Sequence, residues 1–237
     1  MSVYVYAITG AQHSARLDDL HGVGEGEPPL RTVASGPLAA CVSDAPEDLR
    51  GKRRDLAAHH AVQERLLAEG PVLPMRFGLV APDDDAVRAA LDENAEEYTR
   101  RLAELRDRVE FNLKASQEEE TALRQVVADS EEVRRLSEVT RGGGGTHEDQ
   151  LRLGELIGRE LQARQEAVAD DVLADLRSYV DAEKRSAAGQ DRFLNVSFLV
   201  HRDRIEDFAA AEQRLAERYA PLVQFQLRGP LPPYSFV

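Results

Sequence analysis

The chain has 237 residues, 31% of them charged, and a net charge of −13. Nucleic-acid binding needs a basic face to neutralise phosphates, so that class of ligand is excluded. The single cysteine, Cys41, allows no internal disulfide, and no apolar run approaches the ~20 residues of a membrane span.

Residues 3–8 (VYVYAI) are β-branched and aromatic and apolar on both faces, the mark of a central strand. The opening residues lack the basic-then-apolar pattern of a signal peptide, so a soluble cytoplasmic protein is expected. Residues 16–20 suit a short helical turn, and 22–29 (GVGEGEPP) a loop. Residues 30–34 and 38–43 read as two strands joined at Ser35-Gly36-Pro37.

Residues 52–69 predict a helix with Leu56, His59, Val62 and Leu66 on its apolar stripe and Gly70 as its stop. Residues 71–80 follow as a strand with two prolines, which confines it to an edge. Within it, Arg76 points away from Met75 and Phe77, because side chains alternate along a strand. Asp83-Asp84-Asp85 opens a helix to about residue 106, with Val87, Leu91, Tyr98, Leu102 and Leu105 inward.

Val109, Phe111, Leu113 and Ala115 alternate with Glu110, Asn112 and Lys114, a half-buried strand. Residues 118–139 and 148–184 read as helices that pair as an antiparallel hairpin, with Gly142-Gly143-Gly144-Gly145 as a flexible tip. A strand at 193–200, a helix capped by Asp203 and a last strand from Pro221 complete the chain. The fold class is α+β in two domains. Residues 1–106 form an N-terminal α+β domain. Residues 107–237 form a modified ferredoxin-like domain, one strand short of the full order, with the helical hairpin inserted at about 118–185.

No catalytic constellation emerges. There is no G-x-S-x-G elbow, H-E-x-x-H or C-x-x-C, and the four glycines are not followed by G-K-[ST]. His59 and His60 point about 100° apart on a helix and cannot share a metal. His59, on the apolar stripe, reads as a hydrogen-bonded core histidine. No metal or cofactor is expected. Lys52-Arg53-Arg54 reads as a solvated face. Arg76 is the best single residue for a specific polar role, either an ion pair with a carboxylate or contact with a ligand. The last residues are apolar and aromatic, so they are expected to dock, on their own domain or on a partner.

The whole chain resembles the gas vesicle protein F/L family. The resemblance is carried by Val3-Tyr4-Val5-Tyr6-Ala7-Ile8 and by His59 and Val62 before Val72-Leu73-Pro74-Met75-Arg76-Phe77-Gly78. Val109-Glu110-Phe111 with Leu113-Lys114, the strand at 194–200 and the terminal Gly229-Pro230-Leu231-Pro232-Pro233-Tyr234-Ser235-Phe236-Val237 add to it. Leu231 and Phe111 stand where the family often has tryptophan, and each keeps a large apolar side chain.

The resemblance implies a non-enzymatic accessory or minor structural protein of gas vesicles, the gas-filled cytoplasmic compartments that give buoyancy. Its implied partners are the small hydrophobic wall protein and other accessory proteins. Residues Arg76, Phe77, Tyr234 and Phe236 are the expected partner contacts. The alternative is a ferredoxin-like regulatory module that binds a small ligand.

Overall fold

The structure, a computed structural model, describes residues 1–141, 145–189 and 192–237. Gly142, Gly143 and Gly144, most of the expected glycine tip, lie outside the described residues. Two compact units are distinguished: residues 1–111, 199–202 and 229–237 make one, and residues 112–198 and 203–228 the other.

The first sheet is ordered β2 (Arg31–Ser35), β3 (Leu38–Asp44), β1 (Val3–Gly10), β4 (Leu73–Pro74), with β5 (Val80–Ala81) also on β1. β1 is central, as its two apolar faces require. Helix α1 (Arg53–Glu69) covers the face that carries Tyr4 and Tyr6. Helices α2 (Asp84–Glu93) and α3 (Ala95–Glu104) pack on the sheet as well, and α2 borders Val5 and Ile8. Asp83 caps α2 by accepting the Ala86 N–H at 2.8 Å.

Four local expectations in this unit are corrected. The strand over 71–80 is two short pairings with β1, Ala7 opposite Pro74 and Tyr4 opposite Val80, with a loop at 75–79 between them. Pro74 has no N–H to continue the ladder, and Gly78 turns the chain at φ +97°. The helix over 84–106 breaks at Asn94, whose side-chain amide donates to Ala90 O at 2.9 Å and competes with the backbone pattern. Leu56 is 46% exposed; the buried face of α1 is Asp55, His59, Val62, Gln63, Leu66 and Leu67. Residues 16–20 hold a single turn, Leu20 N–H to Leu17 O, and no helix.

The second sheet is ordered β7 (Ala182–Arg185), β8 (Leu194–His201), β6 (Arg108–Ser116), β9 (Gln224–Leu231). With helices between β6 and β7, and α7 (Ile205–Tyr219) between β8 and β9, this is the split β-α-β order of a ferredoxin-like sheet. The strand the sequence lacked is β7. It occupies residues expected to finish the long helix, which instead ends at Leu176 as α6 (His147–Leu176). β7 reads Ala-Glu-Lys-Arg and is mostly exposed. At a sheet edge, backbone pairing suffices and charge is tolerated, so no apolar alternation marks it.

Among the described residues the insertion is a cluster of three helices, because its first arm splits at Ser130 into α4 (Glu119–Asp129) and α5 (Glu131–Arg141). Val126, Val133 and Leu156 are its buried centre, with Leu153, Ile157 and Leu161 packed around them. Thr146 starts α6 with a capping box: its hydroxyl oxygen accepts the Asp149 N–H, and the Asp149 carboxylate accepts the Thr146 N–H. α7 starts with Arg204 as its N-cap residue, after a 3-10 turn that contains Asp203. Phe198 of β8 and Phe208 of α7 meet edge to face at 5.6 Å.

Candidate functional site

A buried polar assembly of the first unit surrounds His59 of α1, which is 4% exposed. Gly78 N–H donates to Tyr4 Oη at 3.1 Å, and Tyr4 Oη lies 2.9 Å from His59 Nδ1. On the other side of the ring, His59 Nε2 lies 3.1 Å from Met75 O. Met75 O is a carbonyl and can only accept, so the ring proton is assigned to Nε2, which donates to it, and Nδ1 accepts the Tyr4 hydroxyl hydrogen. Gln63, one helical turn after His59 and fully buried, directs its amide hydrogens at Tyr6 O (2.8 Å) and Met75 O (2.9 Å). Tyr6 Oη accepts the Val23 N–H at 2.8 Å and bonds Ser43 Oγ at 2.9 Å.

These contacts hold the 75–79 loop against the sheet. A loop that leaves a ladder must satisfy its backbone groups elsewhere. Here Met75 O and Gly78 N–H find side chains of α1 and β1, while Met75 N–H and Leu79 O still pair with β1 at Tyr6 O and Val5 N–H. The Phe77 ring lies 5.6 Å from His59 and 5.9 Å from Tyr4, edge to face with both. Burial holds His59 down at about 4, partly opposed by its bond to Met75 O, so the imidazole is neutral at pH 7.

The terminal residues belong to this same assembly. Tyr234 Oη lies 3.3 Å from His59 Nε2. Glu110 of β6, 4% exposed, accepts both Ser235 N–H (2.8 Å) and Ser235 Oγ–H (2.7 Å) with its two carboxylate oxygens. Arg101 Nη1 donates to Phe236 O at 3.2 Å. Burial pushes the Tyr234 hydroxyl up to about 12.

Of the expected contact residues, Arg76 is exposed, and among the described residues it has no hydrogen-bond or ion-pair partner. Phe77, Tyr234 and Phe236 are half-buried. The structure brings Phe77 and Tyr234 together on His59. Beside the loop, on the α2 face of the sheet, a shallow apolar hollow of about 160 Å³ is lined by Met75, Leu79, Val80, Ala86, Ala90 and Tyr98. Leu79 and Val80 at its edge are 45% and 43% exposed.

Tyr4, Gln63 and Glu110 were not expected at this site. Gln63 was signalled by its position four residues after His59, on the same helix face. Glu110 gave no sign of burial, because an alternating strand reads its polar positions as solvated. Among the described residues there is no group of three His, Cys, Asp or Glu able to hold a metal ion. Among the same residues, no helix is long and apolar enough to cross a membrane.

The geometry therefore defines an α+β protein whose buried polar groups position a loop and a chain end. Two solved structures share the fold. The gas vesicle protein GvpF from Anabaena sp. PCC7120 superposes with a TM-score of 0.87 at 19% identity, over 99% of this chain and 97% of that one. GvpF from Microcystis aeruginosa does so with a TM-score of 0.81 at 19% identity, over 99% and 98%. In sequence, the chain is 47% identical to gas vesicle protein F of Streptomyces sp. (strain CB03234) over the full length of both. It is 30% identical to gas vesicle protein L of the same organism, over 98% of this chain and 91% of the relative. The family described as gas vesicle synthesis protein GvpL/GvpF matches residues 2–237, and the chain belongs to it.

Proposed function

We propose that this protein is a non-enzymatic accessory or minor structural component that binds the hydrophobic gas vesicle wall protein during assembly, in the cytoplasm, together with other accessory proteins. The observation that carries the proposal is the apolar hollow beside the interrupted edge strand, with Leu79 and Val80 displayed at its rim. A wall protein before assembly exposes apolar surface that aggregates unless covered. A hollow flanked by a broken sheet edge suits an extended or helical apolar segment. Arg76, exposed on the adjoining loop, supplies a guanidinium for polar contact at the margin. Phe77, Tyr234 and Phe236 act from within, by fixing the loop that carries Arg76 and Leu79.

The test is co-expression of the tagged chain with the wall protein, followed by co-purification. The native chain is expected to retain soluble wall protein. The double variant Leu79→Ser, Val80→Ser should lose it while melting within a few degrees of the native chain, since both side chains are already partly solvated. Equal retention by the variant would refute this surface, and no retention by the native chain would refute the function.

A further inference from the structure

We propose that the last four residues, 234–237, act as an internal strap that sets the conformation of the 75–79 loop, with the His59 ring as the shared post. Loop and tail converge on one ring nitrogen: Met75 O lies 3.1 Å and Tyr234 Oη 3.3 Å from His59 Nε2. Phe77 packs on the edge of the same ring. Any shift of the imidazole is transmitted through Nδ1 to Tyr4 Oη, and from there to Gly78 N–H. The tail is itself fixed at two further points, Glu110 to Ser235 and Arg101 to Phe236 O. A buried carboxylate that takes two hydrogen bonds from one residue is a strong directional anchor. Gln63 stiffens the loop side by donating to Met75 O, and among the described residues its buried Oε1 has no hydrogen-bond partner.

The consequence is a two-way coupling. Loosening the tail loosens the loop, and straining the loop loosens the tail, because coupling between two sites is reciprocal. The strap bears on the wall-protein proposal, since Leu79 sits at the end of this loop. It is nevertheless a property of the isolated chain and stands or falls without any partner.

Residue-resolved amide exchange on the full-length chain tests it. Tyr234→Phe removes one hydroxyl and keeps the ring, so the fold survives. It is expected to speed exchange at Gly78 about two- to fivefold, the effect of losing the acceptor that shares the His59 Nε2 hydrogen with Met75 O, with Val62 in α1 unchanged. Ser235→Ala, which frees one oxygen of Glu110, should act in the same direction. In the reverse arm, Gly78→Ala should speed exchange at the Ser235 amide. Faster exchange confined to residues 234–237 in the tail variants would overturn the strap. So would an unchanged Ser235 amide in Gly78→Ala.

Discussion

Tyr234 and His59, 175 residues apart in sequence, meet with Oη and Nε2 3.3 Å apart. That contact seats the chain end on the polar core of the first unit, against the loop that interrupts its edge strand.

His59 makes stability depend on pH. Its folded value of about 4 lies below the ordinary 6.5, so as pH falls the unfolded chain takes up the proton first. The stabilisation is complete above pH 6.5, is lost as pH falls from 6.5 towards 4, and changes no further below that. The shift is worth up to roughly 3 kcal/mol. His13, also lowered by burial, acts with the same sign. Urea denaturation at pH 7, 5.5 and 4.5 should show this decline. His59→Phe should be less stable at pH 7 yet lose less between pH 6.5 and 4.5.

Gly229 approaches Phe111 so closely that a Cβ there would lie 2.4 Å from the ring. Gly229→Ala should destabilise by about 1–3 kcal/mol, the range for overpacking a filled site. Pairing it with Phe111→Leu should recover part of that loss, as neighbouring substitutions are not additive. Thermal melts of the two single variants and the double variant measure the coupling.

Gly78 turns the 75–79 loop at φ +97° and has open space around it. Gly78→Ala therefore strains the backbone without a clash, at a cost of about 1–2 kcal/mol by chemical denaturation.

Cys41 lies in β3, 3% exposed, and burial pushes its thiol up to about 12. A neutral, covered thiol is a poor nucleophile. Its reaction with a thiol reagent at pH 8 should be negligible in the folded protein and immediate in denaturant. The rate then reports global opening around β3.

Much of the fold was legible because the relevant signal is local. β1 was marked by residues apolar on both faces, β6 and β8 by alternation, and α1 by its 3–4 spacing and Gly70. β7 was not legible. A four-residue charged edge strand is held by backbone bonds, which leave no trace in side-chain type. The breaks at Asn94 and Ser130 were missed because the apolar period continues across them. The site was half legible. The sequence marked Arg76, Phe77, Tyr234 and Phe236 as unusual, since arginine, aromatics and proline stood where strands end.

By itself the sequence determined the α+β class, the core-facing His59, the acidic surface charge and the family resemblance. Each of these follows from residue type and spacing along one segment. Only the tertiary structure decided that Glu110 is buried to hold Ser235, that Tyr234 and Met75 converge on one imidazole nitrogen, and that the charged β7 completes a sheet. Those depend on which distant segments meet, and a partner across the fold leaves no periodic mark on either side.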